Sequence, residues 1–269
     1  MHSSFSHLDV NAKKLIFKDK LTEAKIVNRP NRYVAIVELA DGSIVRAHTP
    51  VGGRIGGLTL DGLPCLISGP YEGRATDYTV QAFGLKPSSE PDFQWIGVNQ
   101  GAANAYTKEF MLAGMLPQLT PGVTEANSTE FVKAEKKLGS SRIDFFVGAP
   151  DANTPELWIE VKTPLIKLHT AIPESIPIKT DFSSDSVGAR MPKQMNDLFG
   201  QLPLGKRVVL LAAFIYENTL KTSDDLKLKD NLDLDGLITK GQKLGLESWQ
   251  VTYKIDAEGV ELRSYQRLF

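Results

Sequence analysis

The run "VVLLAAFI", residues 208–215, is apolar at every position. A strand with one wet face alternates apolar with polar residues, so an unbroken run belongs in a sheet covered on both sides. It is too short to cross a bilayer, which takes about 20 residues as a helix. The neighbouring chain supplies the covers. "PKQMNDLFG" before it and "LDGLITKGQKLG" after it have helical spacing, while "ESWQVTYKID" reads as a further strand. With strands expected near 131–137, 141–147 and 157–162, residues 129–269 are predicted to form an α/β (α+β) domain, a mixed sheet flanked by helices.

The front of the chain has a different grain. Between residues 12 and 98 come "LIFKDKLTEAKIV", "RYVAIVEL", "SIVRAHT", "LPCLIS", "DYTVQAF" and "WIGV", separated by Asp, Gly and Pro. Short strands in that number predict a small closed barrel of the OB type. "ADGS", with Asp41 and Gly42, marks a tight hairpin inside it. Residues 1–11 are expected to be a flexible N-terminus. Residues 99–128 form the bridge: helical spacing of Ala103, Tyr106, Phe110, Leu112 and Met115, a stop at Pro117, then a loop rich in Pro, Thr, Gly and Asn.

Hydrophobic residues make up 42% and charged residues 23% of the chain, an ordinary globular balance. The formal net charge of -1 gives no overall attraction to polyanions, so nucleic-acid affinity would need a local patch. The single cysteine, Cys65 in "LPCLI", excludes an intramolecular disulfide and a cysteine zinc site. The start "MHSSFSHLDVN" lacks the features of a signal peptide, which makes a cytoplasmic protein without membrane attachment the expectation.

Charged residues interrupt two of the strands. In "SSRIDFFV", alternation sets Arg142, Asp144 and Phe146 against Ile143, Phe145 and Val147; in "LWIEVK", it sets Trp158, Glu160 and Lys162 against Leu157, Ile159 and Val161. Closing the loop "GAPDANTPE" symmetrically pairs Val147 with Leu157, Asp144 with Glu160 and Arg142 with Lys162. Opposed Cβ atoms lie about 4.5–5.5 Å apart, where like charges destabilise a sheet. A proton on one acid or a divalent cation between them removes the conflict. Hard oxygen ligands favour Mg²⁺ or Mn²⁺ held by Asp144 and Glu160. Lys162, on the same face as Glu160, is placed to orient water or neutralise a phosphate, which outlines phosphodiester hydrolysis.

This arrangement resembles the PD-(D/E)xK, restriction-endonuclease-like nucleases. "EKKLGSSRIDF" followed by "WIEVK" is similar, more closely, to the sugar fermentation stimulation protein family, as are "RPNRYVAIVELADGSIVRAHTPVGG", "GRATDYTVQAF" and "WIGVNQGAANAYTKEFMLAG". The resemblance spans nearly the whole chain and implies an OB-like β-barrel followed by a restriction-endonuclease-like domain, with DNA as partner. It places Glu135, Asp144, Glu160 and Lys162 on the acidic and lysine positions of the site and Arg142 on the family arginine. Two departures stand out. The polar turn after Pro50 reads Val51-Gly52-Gly53, and the helix "GARMPKQM" keeps Arg190 and Lys193 but carries Gly188, Met191 and Gln194 where the family has other residues.

Nucleic-acid contacts are therefore expected from Arg142, Arg190 and Lys193 around the acids, and from Arg29, Arg32 and Arg54, with Tyr33, on the barrel. The reading is a DNA-binding protein with a Mg²⁺- or Mn²⁺-dependent nuclease site. One alternative is a DNA-binding transcriptional regulator without catalysis. The other is an RNA-processing factor or scaffold whose acids form a surface ion cluster. DNA versus RNA and monomer versus homodimer stay open at this point.

Overall fold

The computed structural model describes residues 4–51, 55–165, 167–178, 190–218 and 234–269. Two sheets organise them. The first is a barrel of β3 (Thr22–Asn31), β4 (Val34–Glu38), β5 (Ile44–His48), β6 (Pro64–Ser68) and β7 (Tyr78–Gly84), in the order β5-β4-β3-β6-β7, with β8 (Trp95–Gly97) beside β7. Parallel pairing of Ala47 with Tyr78 and His48 with Thr79 joins β5 to β7 and closes it. The β4–β5 turn forms as its sequence demands: Asp41 Oδ1 accepts the Ser43 N–H at 2.9 Å and Gly42 takes φ 83°.

The second sheet has eight strands. In spatial order they are β1 (Phe5–Asp9), β2 (Lys14–Phe17), β14 (Gly259–Arg267), β13 (Glu247–Ile255), β12 (Arg207–Phe214), β11 (Leu157–Lys162), β10 (Ser141–Val147) and β9 (Val132–Leu138). β12 runs parallel to both neighbours, and the flanking pairs are antiparallel. Among the described residues four α-helices accompany it: α1 (Gln100–Leu112), α2 (Ser128–Phe131), α3 (Arg190–Phe199) and α4 (Leu234–Leu244). The apolar run of β12 is covered on both faces. Val209, Leu211 and Ala213 pack in a cluster with Ala103, Tyr106 and Phe110 of α1. Val208 and Leu210 pack with Met195, Leu198 and Phe199 of α3. Ala212 and Phe214 share a core with barrel residues such as Ile26, Val37 and Phe83.

The N-terminal residues differ from expectation. Phe5–Asp9 is a strand rather than a loose end, and Lys14–Phe17 pairs with β14 rather than starting the barrel. Leu15 is buried in the α1 cluster, with Phe5, Leu8 and Phe17 packed against it, so the apolar residues of "LIF" are spent on the larger sheet. β14 itself was absent from the expected elements. It follows a turn whose Asp256 accepts the Glu258 and Gly259 N–H groups and the Lys14 ammonium, tying β2 to the β13–β14 corner.

Helix α1 begins where Asn99 Oδ1 accepts the Ala102 N–H. It ends before the predicted stop at Pro117. Gly114 takes φ 67° and donates to Met111 O, while the Met115 N–H reaches Phe110 O, which closes the last turn. The barrel and large sheet meet at Gly97, whose N–H donates to Ile215 O at 2.8 Å. A Cβ there would lie 2.3 Å from Ile215 Cγ2, inside van der Waals contact with a buried, β-branched side chain. Gly97→Ala is expected to destabilise the protein by about 1–3 kcal/mol. Urea unfolding checks this, and an unchanged midpoint contradicts it.

Candidate metal and phosphodiester site

The β10–β11 hairpin has the predicted register: Val147 pairs with Leu157, Phe146 with Trp158 and Phe145 with Ile159. The ladder stops one step short of the acids. On the other side of β10, pairing jumps from Ile143–Lys136 to Phe145–Ala134, and Glu135 opposite the gap has φ 56°. Both ladders of β10 therefore open at Asp144, with no change of register between β9 and β10.

This irregularity corrects two expectations. Ile143 packs with Trp158 and α3, whereas Phe145 and Val147 pack with α1, so alternation does not carry through Asp144. The β10–β11 ladder ends at Phe145–Ile159, so Arg142 and Lys162 do not form the expected ladder pair, and on its other side Arg142 pairs with Lys137 of β9. The opening frees the Asp144 carboxylate to act where a backbone carbonyl would have been. Its Oδ2 accepts the Val161 N–H of β11 at 2.8 Å, and its Oδ1 accepts Asn104 Nδ2 of α1 at the same distance.

Glu160 sits beside it, 2% exposed. Lys162 Nζ donates to Glu160 Oε1 at 2.5 Å, while Oε2 is buried without a hydrogen-bond partner. Burial pushes the Asp144 carboxyl above its ordinary range against the pull of the Val161 N–H, Lys162 and Asn104; the Glu135 charge adds to the rise. Burial likewise raises Glu160, helped by the Asp144 charge and opposed by Lys162. Two carboxyls thus share one poorly solvated corner and each resists ionisation there.

An orphaned buried carboxylate oxygen is costly, and a cation is one of few partners that satisfies it. Asp144 and Glu160 fit a hard divalent ion as two oxygen donors. Among the described residues no group of three or more His, Cys, Asp or Glu is placed to hold a metal ion.

The other predicted residues are distributed more widely. Glu135 lies at the break in the β9–β10 ladder, its side chain 57% exposed and 3.7 Å from Arg142 Nη1, and its charge reaches Asp144. Arg142 and Lys193 are exposed, and Gln194 of α3 donates to Arg142 O. Arg190 opens α3, with its side chain outside the described residues, as is the whole of Arg54. Arg29 and Arg32 belong to the β3–β4 tip on the barrel. Arg29 Nη2 donates to Arg32 O at 2.5 Å, and the Arg32 guanidinium lies 4.8 Å from the ring centre of exposed Tyr33.

Two features escaped the sequence reading. Asn104 holds Asp144 from α1, and Gln100, one turn earlier, donates to Thr163 O just past Lys162. Their spacing of four was the available signal. Lys137, paired with Arg142 across β9 and β10, adds a second exposed cation near the break in the ladder.

A closed barrel joined to a mixed α/β sheet, with paired carboxyls on adjacent strands, defines the class of protein. The family described as SfsA N-terminal OB domain matches residues 27–98. A sugar fermentation stimulation protein homolog of Methylobacterium sp. (strain 4-46) is 30% identical over 199 residues, covering 73% of this chain and 75% of the relative. A homolog of Methylorubrum populi is 26% identical over 250 residues, 91% of this chain and 92% of the relative. The structure of Pyrococcus furiosus SfsA in complex with Ca²⁺ has a similar fold, with a TM-score of 0.65 at 17% identity over 91% of this chain and 94% of that one. The chain belongs to the sugar fermentation stimulation protein family. No helix among the described residues is long and apolar enough to cross a membrane.

Proposed function

We propose that this chain binds DNA and hydrolyses phosphodiester bonds with a divalent cation, Mg²⁺ or Mn²⁺, held by Asp144 and Glu160. The observation that carries the reading is Glu160 Oε2, buried and unpartnered beside Lys162, with the Asp144 charge acting on the same carboxyl. The Ca²⁺ complex of the Pyrococcus furiosus protein supports an affinity of this fold for such ions. DNA as partner follows from family membership, and the exposed cations Arg32, Lys137, Arg142 and Lys193 suit a phosphate backbone.

A bound Mg²⁺ would neutralise phosphate charge and acidify water. The chain's own residues do the rest. Asn104 and the Val161 N–H fix both oxygens of Asp144, so this donor is set before substrate arrives. Glu160 anchors the Lys162 amine, whose remaining N–H groups can donate to a phosphate oxygen or to the attacking water. The water oxygen bonds to phosphorus as the P–O bond to the leaving sugar oxygen breaks. That oxygen takes up a proton, leaving a phosphate monoester and a free hydroxyl.

Calorimetric titration of Mn²⁺ tests the site directly. Wild type is expected to bind with a stoichiometry of about one, and Asp144→Asn to lose at least about tenfold in affinity. Equal affinity in the two proteins refutes the assignment.

A further inference from the structure

A cleft of about 840 Å³ opens where three parts of the fold meet: the end of β2 and its exit, the β6–β7 loop of the barrel, and the start of α1. Its volume is in the range of small-ligand sites, roughly 300–1,000 Å³. Nothing in the phosphodiester mechanism uses it. Its lining from α1 is Gly101, Ala102, Ala105 and Tyr106, whereas Asn104 faces Asp144.

The lining divides by chemistry. Phe17 and Ala102, each partly exposed, give an apolar wall, and Tyr106 behind them is buried against Phe5 and Phe17. Gln81 and Asn99 give a polar one: Asn99 Nδ2 donates to Gln81 Oε1 and Gln81 Nε2 donates to Ser68 Oγ. Each amide nitrogen keeps a second N–H beyond these bonds. Lys18 and Arg74 supply positive charge. Arg74 lies 4.1 Å from the ring centre of Tyr71, and neither cation has an ion pair with a carboxylate among the described residues. Lys20 is paired with Glu258, and Asp19 is the one acid in the lining.

An apolar wall beside amide donors suits a planar heterocycle, and two exposed cations without a carboxylate partner among the described residues suit a phosphate. We infer that this cleft binds a nucleotide, either free or as one unit of a strand lying between the barrel and α1. This goes beyond the proposed hydrolysis, because the cleft residues are separate from Asp144, Glu160 and Lys162.

The test uses the full chain with adenosine monophosphate, inorganic phosphate and a short oligothymidylate as probes in calorimetric titrations. The variants are Arg74→Glu, which reverses a cation, and Ala105→Trp, which fills the cleft from an exposed helix position without changing charge. Wild-type thermal melting in both establishes that they fold. A free-nucleotide site predicts saturable binding of adenosine monophosphate, tighter than phosphate and weakened on the order of tenfold or more by each variant. A strand-unit site predicts the same loss for oligothymidylate, with adenosine monophosphate no better than phosphate. If neither variant weakens either nucleotide probe, the inference falls. Mn²⁺-dependent cleavage measured on the same variants separates that failure from failure of the nuclease reading.

Discussion

Replacing Lys162 with alanine is expected to reduce divalent-dependent DNA cleavage by about two to three orders of magnitude while leaving DNA affinity within about twofold. The ammonium is anchored by Glu160 at 2.5 Å, yet its side chain keeps 27% exposure, so one part of it can still face substrate. Its charge bears on a phosphate whose negative charge must be redistributed as the P–O bond breaks. Ground-state binding relies instead on several dispersed cations, of which Lys162 is one, so kcat should fall far more than affinity. Single-turnover cleavage together with equilibrium binding in Ca²⁺ checks both quantities. A variant that cleaves like wild type removes Lys162 from the mechanism. A variant that loses binding in parallel with cleavage makes it a phosphate contact and nothing more.

Parts of this arrangement were legible in the sequence for physical reasons that particular residues illustrate. β12 could be placed because Val208–Ile215 offers no polar face, and only a doubly covered strand tolerates that. The hairpin register followed from a symmetric loop and from the apolar faces of Phe145, Val147, Leu157 and Ile159, which a one-residue slip would have exposed. The break in the ladder was not legible. Its signature is the positive φ of Glu135, a backbone property that a glutamate does not advertise. Without it, Asp144 was assigned to a regular ladder, and its bonds to Val161 N–H and Asn104 could not be foreseen. The destination of "LIF" was equally hidden, since Leu15 would serve either a barrel core or the α1 cluster. Only the pairing of Lys14 with Glu261 decides between them, across most of the chain.

The paired carboxyls also set the protein's response to pH. Both Asp144 and Glu160 titrate above their ordinary values of 3.8 and 4.5, chiefly through burial, so between those values and the raised ones the folded state holds more protons than the unfolded state. Stability from this source is present at low pH and is lost as pH rises through the raised values. Without divalent ions, wild type should therefore lose stability across that window. Glu160→Gln keeps the shape of the side chain and removes its charge. It should flatten the slope, because a group that titrates in this window is gone. Mg²⁺ should stabilise wild type by about 2.7 kcal/mol at a hundredfold excess over its dissociation constant and the variant by little. Urea unfolding with and without Mg²⁺ across the pH range measures both effects. Equal slopes in the two proteins, or equal stabilisation by Mg²⁺, would show that the buried Glu160 oxygen is neither an electrostatic cost nor a metal donor.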